Sequence, residues 1–415
     1  MKQNNKTYTH ATIGMGNHII KRRITKMMDI MLFGLGAAGN KAAIEALETR
    51  VISEANVKLI NTTVKDIPEK YKNDPDRVIK FSSMLGGCGK EPVKGEKAMF
   101  QAIKSKNIDF ASIITPDTKA VVLVTSTEGG TGCGSTPVVA KYFSALNIPV
   151  HVFAFIGFQD ETRGVDNSLK FFKNLPDGVI LHTINNNKFL DYTKNYSKAE
   201  TAANEEFVKQ LEILIGSKMI PSTQNIDDTD HYKIITTPGY MDIRHIELSG
   251  AKNIDLTNRA IIDSFESMSC LEYNNTGCKR LAVIINASQK TQDAIDYRFE
   301  VIKRYTGEPF ETYRHIQNDG SDEYIDIIIS GLSYPEDGIK DINKKYRELK
   351  SKTDNESKAL SDIFDDMDFD DDVEETNISK MRNPEDALAI FMEEEPVSQM
   401  KKRTVNNVVN TDSEY

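Results

Sequence analysis

Residues 125–134 read Thr-Ser-Thr-Glu-Gly-Gly-Thr-Gly-Cys-Gly, a glycine-rich loop that is more informative than any other segment of the chain. An apolar run at 120–124 precedes it, and a helical pattern led by Thr136 and Pro137 follows it. This order predicts an anion cradle, because loop N–H groups face inward and the helix dipole favours negative charge. The alternative is a flexible surface turn, but such turns rarely hold so many glycines between two patterned elements.

The loop lacks the Gly-x-x-x-x-Gly-Lys-Ser/Thr pattern of a P-loop. It resembles the Gly-Gly-Gly-Thr-Gly-(Thr/Ser)-Gly signature of the tubulin and FtsZ superfamily. Glu128 stands where that signature has its first glycine, which places a carboxylate beside the expected phosphate site. The resemblance implies that the nucleotide is contacted by Gly129, Gly130, Thr131, Gly132, Cys133 and Gly134.

Another glycine loop, Gly34-Leu35-Gly36-Ala37-Ala38-Gly39-Asn40, lies nearer the start of the chain and follows an apolar run at 29–33. Alone, Gly-x-Gly-x-x-Gly is a weak pattern, typical of a Rossmann dinucleotide site. That site needs an acid at the end of the next strand, but the run at 57–60 ends in Asn61-Thr62-Thr63, so NAD binding is disfavoured. The superfamily's first loop also ends in Gly-Asn, which implies nucleotide contacts from Gly36, Ala37 and Asn40.

Three more segments occur in the superfamily's order. Residues 85–92, Leu-Gly-Gly-Cys-Gly-Lys-Glu-Pro, resemble the loop that closes over the γ-phosphate. Glu161, after an apolar run at 150–155, matches a glutamate that binds ribose hydroxyls, although Val165 replaces the arginine expected four residues later and Arg163 lies nearby. The run at 179–181 leads to the Asn-Asn-Asn-Lys of 185–188, which resembles the family's Asn-Asp-Lys. A candidate helix at 202–216 carries a further asparagine, Asn204. The nucleotide contacts that the resemblance implies in these segments are Gly87, Gly89, Glu161, Asn186 and Asn204.

The segment 224–230, Gln-Asn-Ile-Asp-Asp-Thr-Asp, matches the superfamily's Asn-x-Asp-x-x-Asp loop. In the family this loop enters the nucleotide site of the next subunit along a filament, so the resemblance assigns catalysis to Asp227 and Asp230, with Asn225 in support. Three carboxylates in four positions repel one another unless a cation or water network uses them. The alternative is an acidic turn in which Asp227 caps a helix that runs to Ile235.

Composition favours a protein of the cytoplasm, which the resemblance would place in a bacterial host cell. The 415 residues are 39% hydrophobic with a net charge of −10, and no apolar run approaches membrane-spanning length. The acidic balance argues against direct nucleic-acid binding. The cysteines have no Cys-x-x-Cys spacing, which disfavours zinc and favours reduced thiols. Two fall in the expected phosphate loops and two in a second domain: Cys88, Cys133, Cys270 and Cys278.

We divide the chain as the resemblance implies. Strands are predicted at 281–285 and 325–329, with an amphipathic helix over 291–303 between them. The N-terminal segment is an ordered addition, a basic arm or a translated leader. The predicted parts are a basic extension at 1–27, a GTP-binding domain at 28–196, a central helix and acidic loop at 197–239, a second domain at 240–336, a helix at 337–353, and an acidic linker and tail at 354–415.

The tail combines charge with one apolar patch. Residues 354–375 hold eleven acids and one lysine, a composition typical of a solvated linker. A short capped helix follows, with Leu388, Phe391 and Met392 on one face, and 401–403 are Lys-Lys-Arg. This pattern fits a tethered docking peptide, and it equally fits a disordered solubilising tail.

The prediction is therefore an α/β protein: a Rossmann-like GTP-binding domain with a parallel sheet, a central helix, and a smaller α+β second domain. The resemblance implies a GTPase that binds GTP or GDP with Mg²⁺, polymerises, and hydrolyses GTP between subunits. The long charged extension, Glu128 and the Thr-Pro-Gly at 237–239 resemble TubZ, the plasmid and phage DNA-segregation branch, including clostridial phage proteins. That branch implies a DNA-binding adaptor held by the tail and no membrane contact. The alternatives are a NAD-dependent Rossmann enzyme and a nucleotide-binding polymer that does not hydrolyse.

Overall fold

The computed structural model describes residues 28–82, 86–222, 224–248, 253–267, 269–274 and 277–361, with side chains to Thr353. The predicted basic extension at 1–27, Leu85 and the tail from 362 onward lie outside this range, as does the apolar patch at 388–392.

Within the described residues, ten strands form one sheet, in the order β3-β2-β1-β4-β5-β6-β7-β10-β8-β9. Neighbours from β3 to β7 are parallel, β10 is antiparallel to both β7 and β8, and β8 is parallel to β9. The strands are β1 (Ile30–Leu35), β2 (Val57–Asn61), β3 (Val78–Lys80), β4 (Ala120–Ser126), β5 (Val150–Ile156), β6 (Ile180–Asn185), β7 (Gly239–Glu247), β8 (Arg280–Asn286), β9 (Glu311–Gln317) and β10 (Tyr324–Leu332).

Helices connect these strands and cover both faces of the sheet. In the same part of the chain they are α1 (Gly36–Glu48), α2 (Glu69–Lys72), α3 (Pro92–Lys104), α4 (Phe110–Ile113), α5 (Thr131–Ala145), α6 (Thr162–Asn174), α7 (Asn186–Thr193), α8 (Tyr196–Ile215), α9 (Asp228–Ile235), α10 (Ile254–Glu266), α11 (Gln289–Gln292), α12 (Glu300–Thr306) and α13 (Glu336–Ser361).

The order β3-β2-β1-β4-β5-β6 is that of a doubly wound nucleotide-binding sheet, with its topological switch between β1 and β4. Strands β1 and β5 are buried along their whole length, which explains their nearly continuous apolar sequences. Ligands in such sheets bind beyond the carboxyl ends of the strands at the switch point. The loops after β1 and β4, both predicted to bind phosphate, lie at this position. The predicted fold class is confirmed.

Helix α8 runs along one face of the sheet from its carboxyl edge to its amino edge. It starts just after β6 and α7, and near its other end the N–H of Met28, which precedes β1, donates to the carbonyl of Ile215 at 3.4 Å. Its inner stripe has no solvent exposure at Ala199, Ala203, Phe207 or Leu211. Twenty residues at about 1.5 Å each span about 30 Å.

Two predicted elements differ from the structure. The helix expected over 291–303 is instead two short helices, α11 and α12. The chain turns between them because the carboxylate of Asp296 accepts the N–H of Arg298 at 3.0 Å, and Phe299 is left-handed with φ of 54°. Helix α13 continues to Ser361, past the predicted boundary at 353.

A buried ion pair lies on β7, in the part of the sheet formed by β7 to β10. On β7 the guanidinium of Arg244 contacts the carboxylate of Asp242 at 2.5 Å, and the two side chains are 7% and 4% exposed. The hydroxyl of Tyr273 donates to the same carboxylate at 2.8 Å, and Arg244 stacks on the ring of Phe265 at 4.0 Å. This network satisfies charges that would otherwise be costly to bury.

We expect Asp242→Ala to lower the free energy of unfolding by about 3–5 kcal/mol, because it leaves the Arg244 guanidinium buried without its partner. Urea unfolding followed by circular dichroism measures this loss. The matched control is Asp263→Ala, which removes an exposed carboxylate 2.8 Å from Arg259 and should cost less than about 1 kcal/mol. Equal losses in the two variants would contradict this interpretation of the buried pair.

Candidate nucleotide-binding site

Three glycine loops meet at the carboxyl edge of the sheet: residues 34–40, here named the first loop; residues 125–134, the phosphate loop; and residues 86–92, the third loop. Gly36, at the start of α1, has φ of 74°, and a Cβ there would lie 2.8 Å from the backbone nitrogen of Gly132. A Cβ on Gly130 would lie 2.7 Å from the backbone nitrogen of Glu91 and 2.9 Å from the Cβ of Cys88. Side chains at these positions would therefore separate the loops. Glycine at these positions permits the backbones of the three loops to touch.

The helices that begin around this junction have uncapped N-termini. Helices α1, α3, α5 and α6 show no side-chain hydrogen bond from the N-cap residue. Away from the glycine loops, α4, α7, α8, α9 and α10 are each capped by an asparagine or aspartate side chain, while the short helices α2, α11 and α12 also lack such a cap. The first N–H groups of a helix need an acceptor, and an anion satisfies them and the helix dipole together. The missing caps therefore favour an anionic ligand at this junction.

The side chain of Asn40, one of the predicted nucleotide contacts, hydrogen-bonds to the neighbouring strand β2. Its amide oxygen accepts the N–H of Ile60 at 3.1 Å, its amide nitrogen donates to the Ile60 carbonyl at 3.4 Å, and the residue is 1% exposed. Both amide groups are thus used by β2. This geometry fixes the first loop to β2, and a nucleotide contact from Asn40 stays a prediction.

Asn167, on α6, ties two of the loops together and was not found from the sequence. Its amide nitrogen donates to the carbonyl of Lys90 and to the carbonyl of Glu128, at 3.0 Å each, and it is 3% exposed. The neighbouring Ser168 hydroxyl lies 2.6 Å from that of Thr127. An adjacent Asn and Ser on the buried face of an amphipathic helix is the only sequence signal that could have indicated these contacts.

Around the expected ribose position, Glu161 forms an ion pair with Lys90, which joins the third loop to the start of α6. Val165, at the position of the family's arginine, is fully buried, so it cannot contact a ligand. Arg163 instead donates from Nε to the carbonyl of Lys90 at 3.2 Å. The structure therefore brings Arg163 to the loop that was predicted to close over the γ-phosphate.

The amide oxygen of Asn186, at the start of α7, is buried and has no hydrogen-bond partner among the described residues. A nucleobase N–H is a suitable donor for such an acceptor. Asn204 lies partly buried on α8, which packs against α7. Ala37, Gly87 and Gly89 are exposed at the loop tips, and a Cβ on Gly87 or Gly129 would meet nothing within 4 Å. These open positions leave room for a ligand.

The side chain of Glu128 reaches from the phosphate loop to the segment 157–161. Its carboxylate accepts the N–H of Gln159 at 3.1 Å. The pKa of Glu128 is raised to about 7, mainly by burial and to a smaller extent by the carboxylates of Asp160 and Glu161, while the Gln159 N–H and Lys90 act in the opposite direction. The carboxyl group predicted beside the phosphate loop is therefore present, and near pH 7 it is protonated and neutral in a fraction of the molecules.

The acidic loop lies at the opposite edge of the sheet from the glycine loops. Asp227 is the N-cap of α9, where its carboxylate accepts the N–H of Asp230 at 2.8 Å. A Cβ on Gly216, at the end of α8, would lie 2.7 Å from the ring of His231, which places α9 at that end of α8. Asn225 and Asp227 are exposed and Asp230 is partly buried. Within one chain, the predicted catalytic residues are not brought to the predicted phosphate residues.

Polar residues on β9 hold this loop in place. The buried ring of His315 accepts the N–H of Ile226 at Nδ1, 3.3 Å away. Gln317 accepts the N–H of Ile220 at 2.9 Å and donates to the carbonyl of Lys218 at 3.0 Å. The acidic loop is therefore fixed to the second half of the sheet, by residues that sequence reasoning missed.

All four cysteines are free thiols buried to between 3% and 5% exposure. Cys88 packs on the phosphate loop, and burial raises the pKa of its thiol. Cys133 faces the carbonyl of Asn167 at 3.5 Å, and burial also raises its thiol pKa. The described part of the chain has no group of three or more His, Cys, Asp or Glu placed to hold a metal ion. It also has no helix long and apolar enough to cross a membrane.

A doubly wound sheet with glycine loops at its switch point defines an α/β nucleotide-binding protein. No protein-family model matches the chain. Its sequence is 25% identical over 365 residues to the tubulin-like protein CetZ of Pyrococcus furiosus, which covers 83% of this chain and 97% of that protein. It is also 25% identical over 348 residues to the cell division protein FtsZ of Aquifex aeolicus, a match that covers 80% of this chain and 92% of that protein.

Solved structures share the fold. TubZ of Clostridium botulinum phage c-st matches with a TM-score of 0.62 at 17% identity, over 79% of this chain and 99% of that one. CetZ2 of Haloferax volcanii, solved as a protofilament with GTPγS bound, matches with a TM-score of 0.61 at 18% identity, over 79% and 100%. The chain is thus similar in sequence to tubulin-like CetZ and FtsZ proteins, and it shares its fold with solved TubZ and CetZ structures.

The narrower prediction of a TubZ protein is not supported in the same way. The two relatives in sequence named above are a CetZ and an FtsZ protein, and the TubZ and CetZ2 structures match this fold almost equally well. These similarities are to the superfamily as a whole and do not select the DNA-segregation branch.

We expect Asn167→Ala to increase the reactivity of Cys88 toward a thiol reagent by about tenfold, because losing two hydrogen bonds of about 1 kcal/mol each releases the third loop. Mass spectrometry of peptides after timed labelling measures each cysteine. Cys270 and Cys278 should not change. Asn286→Ala, which removes a buried amide donating to Asp319 at 2.9 Å in the other half of the sheet, is the matched control. Faster labelling of all four cysteines would indicate general unfolding instead.

Proposed function

We propose that this chain is a GTPase that assembles head to tail and hydrolyses GTP between neighbouring subunits. The observation that carries the proposal is the separation of two half-sites. The glycine loops lie at one edge of the sheet, and the acidic loop lies at the other end of α8, about 30 Å away. A second copy stacked on the first along this axis would bring its acidic loop to the glycine loops.

In this proposal, backbone N–H groups at the starts of α1 and α5 bind the phosphates. Transition-state charge in phosphoryl transfer spreads over the phosphate oxygens, so preorganised N–H donors stabilise it. Gly129, Gly130 and Gly132 supply the loop whose backbone can approach those oxygens. Mg²⁺ would enter with the nucleotide and take most of its oxygen ligands from phosphates and water, since the described residues offer no carboxylate cage.

The nucleoside would lie between α7, α8 and the segment 157–161. Asn186 presents an unpaired amide oxygen there, and Asn204 and Glu161 are accessible on the neighbouring elements. A purine edge that both donates and accepts is a suitable partner for asparagine amides. The solved CetZ2 protofilament, which has GTPγS bound, supports the choice of a guanine nucleotide and of assembly.

Asp227 and Asp230 of the adjoining subunit would orient the attacking water, with Asn225 supporting the loop. A carboxylate that positions water adds to the rate without forming a covalent bond. Because Asp227 also caps α9, replacing it with alanine would confuse catalysis with helix stability. Asparagine caps a helix about as well as aspartate, so Asp227→Asn removes the charge and keeps the cap.

We expect Asp227→Asn and Asp230→Asn to reduce phosphate release at least about a hundredfold while GTP binding and pelleting of polymer persist. A phosphate-release assay and sedimentation measure these. Gly129→Leu, at an open position of the cradle, should fold and fail to bind GTP. At an equal mixture of Asp230→Asn and Gly129→Leu, about a quarter of head-to-tail interfaces would pair an intact cradle with an intact acidic loop.

The mixture should therefore hydrolyse GTP although neither variant does so alone. Asp228→Asn is the matched control, because Asp228 is an exposed neighbour in the first turn of α9 and lies outside the proposed set. It should retain full activity. Absence of hydrolysis at every mixing ratio, with both variants folded, would place the active site within one chain.

The same assays separate the two alternatives. A NAD-dependent enzyme would bind NADH in preference to GTP, but β2 ends at Asn61, which Thr62 follows, and offers no acid for a ribose. A polymer that does not hydrolyse would pellet with GTP and release no phosphate at all. The exposed carboxylates of the acidic loop favour the hydrolysing protein over this second alternative.

A narrower part of the proposal concerns cargo. We propose that the tail binds a small DNA-binding adaptor, as the resemblance to TubZ implies, with the acidic linker holding the docking segment away from the polymer. In this role the protein would contact neither DNA nor a membrane directly, and would act in the cytoplasm of a bacterial host cell. The proposal rests on the composition of residues 354–415.

We expect deletion of residues 362–415, which leaves all of α13 in place, to preserve GTP-dependent polymerisation and to abolish pelleting of adaptor-bound DNA with the polymer. The candidate adaptor is a protein retained by an immobilised 362–415 peptide that also binds a defined DNA fragment. Replacing Leu388, Phe391 and Met392 together by serine is the finer variant and should have the same effect. A truncated protein that fails to polymerise would place the tail in the filament interface.

A further inference from the structure

Glu128 occupies a notch formed by two glycines of other elements. A Cβ on Gly157, just after β5, would overlap the Glu128 carboxylate, and the three atoms nearest to that Cβ all belong to Glu128. A Cβ on Gly164, in α6, would lie 3.0 Å from the same carboxylate, and its three nearest atoms also belong to Glu128. Neither glycine has positive φ, so backbone conformation does not require them. They leave room for one glutamate side chain.

The carboxylate fixes the segment 157–161, here named the ribose loop. It accepts the N–H of Gln159 at 3.1 Å, and Gln159 is itself left-handed with φ of 54°. A left-handed non-glycine residue persists only where its surroundings hold it. Two residues later comes Glu161, the proposed ribose contact. Glu128 therefore connects the loop proposed to bind phosphates to the loop proposed to bind the sugar.

We propose that Glu128 is a positioning residue for the nucleotide: its carboxylate, seated between Gly157 and Gly164, holds the ribose loop in register with the phosphate loop. This inference rests on the proposed function, because it assigns a role within the same site. It also explains why this chain functions with a glutamate where the superfamily signature has glycine. Where the signature has a flexible glycine, the larger side chain of Glu128 provides a fixed link between the phosphate loop and the ribose loop.

The same carboxylate makes nucleotide affinity depend on pH. The charged groups facing it are Asp160 and Glu161 on the ribose loop and Lys90 on the third loop. The pKa of Glu128, raised by burial to about 7, lies above the value of 4.5 for a free glutamate, so the folded protein retains this proton up to about pH 7. Ionisation above that pH adds a negative charge beside a site for phosphates. We therefore expect affinity to fall as pH rises through 7.

The first experiment measures binding of a fluorescent GDP analogue by the full chain between about pH 6 and pH 8, on either side of this pKa. Glu128→Gln keeps the shape and the acceptor for Gln159 without the charge. It should match the wild type at the lower pH and bind about tenfold more tightly than the wild type at the higher pH. The terminal phosphate of GDP also titrates, at about pH 6. The inference is therefore judged on the difference between the wild-type and Glu128→Gln binding profiles.

The control for this profile is Glu96→Gln. Glu96 is a buried glutamate on α3 whose pKa is also raised by burial, and it faces Lys141. Its removal should leave the pH dependence of binding as it is in the wild type. Parallel profiles for the wild type and Glu128→Gln would overturn the electrostatic part of the inference.

The second experiment is a double-mutant cycle between Gly157→Ala and Glu128→Gly. Gly157→Ala alone should weaken binding about tenfold, because the new methyl group displaces the carboxylate, an effect within the range of coupled contacts. In the Glu128→Gly background the space is empty, and the same substitution should change affinity less than about twofold. Gly164→Ala, with its milder overlap, should lie between these results. Thermal unfolding without nucleotide checks that each variant folds.

The outcomes separate the two proposals. If the wild type binds guanine nucleotide and Gly157→Ala weakens binding equally with and without Glu128, the positioning role is overturned and the proposed function stands. If Glu128→Gly binds as tightly as the wild type at every pH, the positioning role is likewise overturned. If the folded wild type binds no guanine nucleotide at any pH, the proposed function fails and the positioning role fails with it.

Discussion

The close approach of two backbones, at Gly36 and Gly132, is the constraint on which the rest of this structure depends. A Cβ on Gly36 would lie 2.8 Å from the nitrogen of Gly132, and one on Gly132 would lie 2.5 Å from the carbonyl of Leu35. The contact joins the loops at the switch point of the sheet, so the starts of α1 and α5 face one small volume. Any side chain at either position would separate the two helix ends and divide the anion site.

Polar residues around this contact support it from three sides. Asn40 fixes the first loop to β2, the hydroxyls of Thr62 and Thr131 lie 3.3 Å apart, and Asn167 holds the third loop and the backbone of Glu128. All of them are buried, so each hydrogen bond is made in a low-dielectric environment where an unmade one would be costly. The helix ends are uncapped, but the loops that present them are held firmly. This is the arrangement expected of a preorganised binding site.

The sequence predicted those parts of the fold whose signal is local. Strands β1, β4 and β5 are nearly continuous apolar runs because both of their faces are buried, and the glycine loops follow them directly. Strands β7 and β9 were not predicted, because buried polar residues such as Asp242 and His315 interrupt their apolar pattern. Partners distant in sequence help to satisfy these residues, namely Tyr273 for Asp242 and Ile226 for His315. Asn167, which lies 77 residues from Lys90, was missed for the same reason.

The acidic loop shows how one local pattern can support two interpretations at once. The sequence predicts either a helix cap or a catalytic residue at Asp227, and its carboxylate does cap α9. The cap does not exclude catalysis, because one carboxylate oxygen accepts the N–H of Asp230 and the exposed side chain retains further acceptor capacity. Capping fixes the direction of the carboxylate, and His315 and Gln317 fix the loop that carries it.

Helix α8 then determines what such a fixed loop can do. Its buried stripe, from Ala199 to Leu214, packs along the sheet and gives the helix little freedom to bend or slide. A rigid separation of about 30 Å means that no loop motion of ordinary size brings the acidic residues to the glycine loops of the same chain. A head-to-tail neighbour meets the requirement without any internal rearrangement. Under the proposed function, assembly would complete the site, and hydrolysis would be confined to assembled subunits because each subunit would present one half of the site at each end.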